Sequence, residues 1–491
     1  MPAASEHPRP NTDARQECIN PVCREVFAVD KVLVACPRCG EQLDVRYNWS
    51  GPLSWETLGQ RSSTRGERPA AGARGQTRAA LDFSGVWRFR DLLPFYKDEG
   101  DIVTIGEGRT NLQRADAIAE LIGLKPGNLF LQYEGFNPSG SFKDNGMAAG
   151  FTHARMVGAE RVACASTGNT SASLGMYAAL TGTPCFVFIG SGKIAYGKLS
   201  QALEHGARTL QVAGDFDACL ARVREIATDR PDLGVYLMNS VNPFRLEGQK
   251  TIMYRVLEGL DWRVPDWVVV PGGNLGNCSA FAKAFMELRE LGMVDRVPRL
   301  AVVNASGART LDRVHNDLGL RWNDGEYDRD AVRAEYARMD EAGERAKTVA
   351  SAIEINRPVN LPKAMRALEY MNGVVLSVDD HCIMEHKALV GRFGFGCEPA
   401  SAASVAGARR LVERGVIDSE ETVACVLTGH LLKDPDATVS YHTGVEREKI
   451  QAATAKVMQE HGRFAIPTGM VSNRPIPVAD DLDSILRAMG L

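Results

Sequence analysis

The chain has 491 residues, 44% hydrophobic and 24% charged, with a formal net charge of −4. That length predicts two or more domains, and the mildly acidic balance argues against a general nucleic-acid or membrane-surface role. No apolar run approaches the ~18 residues of a membrane-spanning helix, and the N-terminal Met-Pro-Ala-Ala-Ser-Glu-His lacks a secretory pattern.

The 11 cysteines, read without an export signal, suggest a reducing cytoplasm rather than a disulfide framework. Four of them lie in residues 1–50, as Cys18-x4-Cys23 followed by Cys36-Pro-Arg-Cys39-Gly40. Two pairs on opposed turns can give four thiolates to one tetrahedral zinc, and Pro37 and Gly40 suit the second turn. The alternative is a set of free surface thiols. A ribbon of this kind raises nucleic-acid binding, yet the segment has no aromatic-and-basic face to support it. Cys164, Cys185, Cys219, Cys278, Cys382, Cys397 and Cys425 have no ligand spacing and read as buried small apolar residues.

Residues 51–80 lose apolar periodicity. Between Arg61 and Arg78, five arginines (Arg61, Arg65, Arg68, Arg74 and Arg78) face a single acid, Glu67, and the stretch reads as a flexible linker. From Phe83 the pattern becomes α/β. Asn128–Tyr133 reads as a strand leading to Asn137-Pro-Ser-Gly-Ser-Phe-Lys143-Asp-Asn-Gly-Met147, where turn-forming residues deliver Lys143 to the start of a helix running to about Val157. Unpaired amides at a helix N-terminus disfavour an ammonium ion, so the position suits an amine that attacks a carbonyl. A surface loop lysine is the competing explanation.

Strands and helices then alternate: strands at Arg161–Ala165, Pro184–Ile189, Ala207–Val212 and Val235–Asn239, with a helix between each pair. Single-helix spacing implies a parallel sheet with right-handed crossovers. Residues 157–242 therefore form a unit that could be inserted in a larger domain. Asp266–Pro271 is a further buried-type strand, followed by the glycine loop Gly272-Gly273-Asn274-Leu275-Gly276-Asn277 and a helix from about Cys278 to Glu290. Strand, glycine loop and helix together can bind a phosphate. The spacing is neither the dinucleotide fingerprint nor a P-loop, and a tight turn without ligand remains the alternative. Residues 310–347 are strongly charged and read as surface helices. Pro399–Ala408 is helix-like, Glu421–Leu427 is a strand ending at Thr428, and the tail has one helix signal at Asp481–Met489.

Lys143, the loop Ser166-Thr167-Gly168-Asn169-Thr170, the glycine loop and Thr428 each follow a strand or open a helix. In open α/β sheets ligands bind beyond the strand C-termini. A lysine, a phosphate nest and polar groups for ring edges together suit pyridoxal 5'-phosphate. A hydroxyl such as Thr428 could meet the ring nitrogen without stabilising a proton there, which favours elimination and replacement over transamination.

Five stretches in this order carry a resemblance. They are Asn137–Asp144, Ser166–Thr170, Asn239-Ser-Val-Asn-Pro-Phe-Arg-Leu-Glu-Gly-Gln-Lys250, Gly272–Asn277 and Thr428-Gly-His-Leu-Leu-Lys-Asp434. The chain resembles the fold-type II pyridoxal-phosphate enzymes and, among them, the threonine synthases. The resemblance implies an α/β fold of two open parallel-type sheet domains with a small N-terminal zinc-ribbon-like segment. With the readings above, the chain divides into a ribbon at 1–50, a linker at 51–80 that looks like an insertion relative to the family, a large cofactor domain at 81–156 and 243–435, a small domain at 157–242, and a C-terminal extension at 436–491.

By matching position, Lys143 would bond the cofactor and shuttle protons, and Asn169 would contact the ring hydroxyl. Gly272–Asn277 would hold the cofactor phosphate and Thr428 would meet the ring nitrogen. Ser166, Thr167 and Thr170 would bind the substrate carboxylate; Asn239, Ser240 and Arg245, with Thr170, would hold the phosphate of O-phospho-L-homoserine. For Arg245 the bland alternative is a surface helix arginine. The implied reaction is γ-elimination of phosphate followed by β-addition of water, giving L-threonine in a cytoplasmic homodimer with one structural zinc on Cys18, Cys23, Cys36 and Cys39. Rivals are a β-replacing cysteate or cysteine synthase-like enzyme acting on O-phosphoserine, a serine/threonine dehydratase, and a zinc-ribbon binding protein on an inactive scaffold. The chain departs from the family at Asn145, where several members carry arginine, at Leu431, where glycine is common, and in the wide first cysteine pair.

Overall fold

The computed structural model describes residues 14–49, 53–63, 67–190, 196–213, 216–443, 472–473 and 475–490. In chain order, a small antiparallel sheet of β1 (Ala14–Cys18), β2 (Val26–Ala28) and β3 (Leu43–Tyr47) comes first, with the cysteines on its turns. Helix α1 (Trp55–Ser63) follows, then strands β4 (Asn111–Arg114) and β5 (Leu129–Tyr133), and helix α2 (Lys143–Met156). The next unit holds β6 (Arg161–Ala165), α3 (Asn169–Thr181), β7 (Cys185–Gly190), β8 (Arg208–Val212) and β9 (Val235–Leu237). The remaining elements named below are α4 (Pro243–Gly259), β10 (Trp267–Pro271), α5 (Gly276–Glu290), β11 (Arg299–Ala305), α6 (Leu361–Tyr370), β12 (Val374–Val378), α7 (Pro399–Glu413) and β13 (Val423–Leu427).

Two larger sheets result. One is four-stranded and parallel, in the order β8-β7-β6-β9; the other is six-stranded, in the order β12-β11-β10-β13-β5-β4. In the larger sheet only β4 runs antiparallel, as a short polar edge against β5. The strand Trp267-Val-Val-Val-Pro271 is buried throughout, as a parallel strand covered on both faces must be. Its alternate residues show the period of two: Val268 and Val270 enter one core, Trp267 and Val269 the other.

Helices α2 and α4 lie against each other, close enough that a Cβ on Gly146 would sit 3.0 Å from the Arg245 carbonyl oxygen. Between α4 and α5 lies a buried four-charge cluster. Lys250 reaches Glu247 and Glu287 at 2.5 Å each, and Lys283 reaches the same two at 2.6 and 2.5 Å. Each ammonium meets two carboxylates, which offsets the desolvation that an isolated buried charge would suffer. Tyr47 from β3 donates to Glu247 at 2.7 Å, tying the N-terminal sheet to the same cluster.

Two expectations need correction, and one alternative falls. Loss of periodicity predicts a flexible linker over 51–80, but its described residues include α1, whose Trp55 stacks on Trp262 at 4.4 Å and whose Leu58 is buried. Arg65 lies outside the described residues. The charged stretch 310–347 is not confined to the surface, because Trp322, Tyr327, Glu335 and Met339 are buried and Tyr327 donates to Glu41 of the N-terminal segment. Glu335 can be buried because Arg313 and Arg338 pair with it at 2.8 and 2.9 Å. Arg245 is not a surface arginine; it is fully buried. The seven scattered cysteines are all buried, as read from their spacing. The C-terminal helix signal falls on a helix at Leu482–Met489, and most of the rest of 436–491 lies outside the described residues. No helix among the described residues is long and apolar enough to cross a membrane.

Candidate active site

Lys143 is the first residue of α2, on the loop that leaves β5. That loop is sewn to the end of β13: Phe142 N donates to Thr428 O at 2.9 Å, and His430 N donates to Gly140 O at 2.9 Å. Ser139 N and Oγ donate to the Asp144 carboxylate at 2.7 and 2.5 Å, and Ser173 of α3 adds a third bond at 2.5 Å. The turn is therefore fixed before any ligand arrives. Burial, then the charge of Arg245, pushes the Lys143 amine down to about 7, against an opposing pull from Glu398. A neutral amine is thus available near neutral pH, as a nucleophile toward a carbonyl requires.

Arg245 lies on the first turns of α4. Its Nη1 donates to Met238 O at 2.7 Å, while Nε and Nη2 are buried without a partner in the protein. Burial pushes its guanidinium down to about 10, so it stays charged near neutral pH. Two orphaned donors on a buried cation form a socket for an anion.

The glycine loop has the geometry of a phosphate nest. Gly272 N bonds Val303 O at 2.7 Å, Leu275 takes a left-handed φ of 63°, and α5 begins at Gly276, two residues earlier than the sequence pattern predicts. The left-handed residue turns successive amides toward one side, at the positive end of the helix. A Cβ at Gly272 would meet Asn304 Nδ2 at 2.7 Å, and one at Gly273 would meet the Ile353 backbone at 3.0 Å, so larger residues do not fit.

Several expected contacts are taken up within the protein. Asn239 receives a bond from Ala165 N and donates one to Ala165 O, both at 2.9 Å. Its oxygen and one of its two N–H donors are thereby tied to the end of β6, beside the Ser166 loop. Ser166 Oγ accepts from Gly168 N at 3.1 Å and tightens that loop. Asn169 donates to both oxygens of Glu398 at 3.0 Å, leaving its own Oδ1 unpartnered. Thr428 Oγ1 is 2.9 Å from Ser401 Oγ and donates to Glu398 at 3.4 Å.

Glu398 is the functional-site residue that motif reading missed. It is fully buried at the start of α7, before a proline, yet its side chain makes no cap bond and instead reaches into the crevice. A Cβ at Gly429 would lie 2.5 Å from its Oε1, so glycine makes room for the carboxylate. An acid before a helix-opening proline was the available signal.

The departure at Asn145 is filled from elsewhere. Asn145 Nδ2 donates to Glu134 at 2.6 Å and its Oδ1 accepts from Arg255 at 3.1 Å, while Arg255 pairs with Glu134 at 2.7 Å. The guanidinium beside Glu134 comes from α4, and it holds the Glu134 carboxyl below the usual range despite burial.

The four N-terminal cysteines converge as their spacing suggests. Their sulfurs all lie within 4.8 Å of one another, with Cys18–Cys39 at 3.5 Å and Cys23–Cys36 at 3.7 Å. Zinc–sulfur bonds of ~2.3 Å put tetrahedral sulfurs about 3.8 Å apart, so the donor set fits zinc.

A depressed lysine, a glycine nest at a helix N-terminus and the orphaned oxygens of Asn169 and Asn277 fit a phosphorylated pyridine aldehyde in the crevice beyond the strand ends. The family described as pyridoxal-phosphate dependent enzyme matches residues 103–429. The fold and crevice are therefore those of a pyridoxal-phosphate enzyme, and that is the chain's cofactor. A threonine synthase of Methanocaldococcus jannaschii is 39% identical over 428 residues, covering 86% of this chain and 94% of that one. One of Methanosarcina acetivorans is 41% identical over 425 residues, covering 86% and 93%. Within the pyridoxal-phosphate enzymes, the chain belongs to the threonine synthase family. A solved fungal L-serine ammonia-lyase from Rhizomucor miehei shares the fold at a TM-score of 0.53 and 17% identity, covering 70% of this chain and 98% of that one.

Proposed function

We propose that the protein converts O-phospho-L-homoserine and water into L-threonine and phosphate. The observation that carries this reading is Arg245, buried, charged and with two unpartnered donors beside Lys143. An enzyme acting on unphosphorylated serine or threonine has no use for such a socket.

In this reading Gly272–Asn277 would hold the cofactor phosphate, Asn169 and Thr428 would meet the polar edges of its ring, and the Lys143 amine would bond the cofactor. The bound cofactor supplies an electron sink that acidifies the substrate α-carbon. Lys143, partly neutral near pH 7, would take the α-proton, then a β-proton, and would return one to the γ-carbon after phosphate has left and one to the α-carbon after water has added at the β-carbon. Arg245 and the Ser240 loop hold that phosphate, so the γ-carbon–oxygen bond is oriented for cleavage. Amides and hydroxyls of Ser166, Thr167 and Thr170 fix the carboxylate. The hydroxyl of Thr428 cannot neutralise a ring-nitrogen proton as a carboxylate would, which favours elimination. Closure of the unit 157–242 over the crevice keeps water out until the final β-addition. The four cysteines bind one structural zinc, and the enzyme works as a cytoplasmic homodimer. Light scattering that shows only monomers would overturn the dimer.

The test is Arg245→Ala. The KM for O-phosphohomoserine should rise about a hundredfold, the loss of a buried charge-assisted pair, with the cofactor still bound. Unchanged kinetics would remove Arg245 from the site.

A further inference from the structure

The four-cysteine ribbon has no part in the chemistry above, yet it reaches the loops of the site at Asn360. Asn360 is fully buried at the N-terminus of α6. Asparagine in that position ordinarily caps the helix by accepting from an amide in its first turn; Asn360 makes no side-chain cap bond. Its Nδ2 instead donates to Ser240 O at 3.2 Å and to Asn274 O at 3.1 Å, and its backbone N adds a bond to Asn274 O at 3.2 Å. Ser240 opens the loop that leads to Arg245, and Asn274 is the centre of the glycine loop. One amide thus bridges both anion-binding loops.

The amide is held in that orientation from the ribbon side. Gln42 Nε2 donates to Val359 O at 2.6 Å and to Asn360 Oδ1 at 3.5 Å. Because the Asn360 oxygen faces a donor, its NH2 group is left for the two carbonyls. Gln42 is itself fixed by the ribbon fold, since its carbonyl accepts from Ile19 N at 3.1 Å. Below it, Lys363 of α6 pairs with Asp44 at 3.0 Å and donates to Leu43 O at 2.6 Å, docking the ribbon onto the helix that Asn360 begins.

We propose that Asn360 is a positioning residue that sets the two anion-binding loops relative to each other, and that the ribbon, through Gln42, holds it in place. Binding of the cofactor phosphate and of the second phosphate then depends on one shared strut. The part concerning the second phosphate rests on the assignment made for Arg245.

The variants are Asn360→Asp, which keeps the shape but turns a carboxylate toward two carbonyls, and Gln42→Ala, which leaves the loops untouched. The readouts are the dissociation constant of pyridoxal phosphate from the refilled protein and that of inorganic phosphate from the holoenzyme, with kcat at saturation alongside. Asn360→Asp should weaken both constants about tenfold, the scale of one buried hydrogen bond per loop. Gln42→Ala should weaken both about threefold, and kcat should hold. Loss of only one constant, of neither, or of kcat alone overturns the strut. If Asn360→Asp does not fold, Gln42→Ala decides by the same criteria. A wild-type protein inert toward O-phosphohomoserine whose variants still lose both constants would sink the substrate reading and leave the strut standing.

Discussion

Replacing Lys143 by methionine should stabilise the cofactor-free protein, by an amount that falls as pH rises. Lys143 is half-buried, and its folded-state constant drops from the ordinary 10.5 to about 7. Below pH 7 the folded protein must carry the ammonium in a half-buried site beside Arg245. At ~1.4 kcal/mol for each factor of ten, the full cost is on the order of 5 kcal/mol. The sign follows from linkage: between about 7 and 10.5 the unfolded chain holds the proton and the folded one does not, so wild-type stability rises with pH across that window. Methionine removes the charge and keeps most of the volume. The gain should be largest at and below pH 7, about half as large midway to 10.5, and close to nothing at 10.5. Urea unfolding of both cofactor-free proteins at several pH values measures it. A pH-independent difference, or a wild type that is the more stable at pH 7, would refute the depressed amine and the nucleophile argument built on it.

Two further outcomes follow from the same geometry. Glu398 raises the Lys143 constant, so Glu398→Gln should lower the pH midpoint at which cofactor-free protein captures pyridoxal phosphate, read from its visible absorbance. An unmoved midpoint would place the carboxylate outside the lysine's field. Metal analysis should find about one zinc per chain, and chelation should cost several kcal/mol of ribbon stability; a folded ribbon free of metal would contradict the four-thiolate site.

The parallel strands and the Lys143 turn are legible in the sequence because local pattern decides them: β-branched runs, glycine and proline punctuation, and helix starts. Glu398 and Asn360 are not legible in that way. Each is one polar residue at the head of a helix, where local rules assign a cap, and its real partner is remote. Asn169 lies 229 residues from Glu398, and Gln42 lies 318 from Asn360. Asn239 shows the complementary limit. Its place in a motif marks it as part of the site, but only tertiary structure reveals that its amide faces Ala165. Arg245 is similar: the sequence cannot say that its helix is buried on every side, and burial is what turns it from a solvated charge into a socket. Residues 51–80 misread as a linker because the apolar contacts of α1 are few, Trp55 on Trp262 and Leu58 beneath, too sparse to register as periodicity, while its Arg61–Asp91 pair is remote in sequence.

The central claim is tested most directly by adding O-phospho-L-homoserine to the purified, cofactor-loaded protein and following phosphate and L-threonine together. The account predicts a change in the cofactor's visible absorbance on addition, then phosphate and threonine in equal amounts. Phosphate release from O-phosphoserine with none from O-phosphohomoserine, or phosphate without threonine, would contradict it.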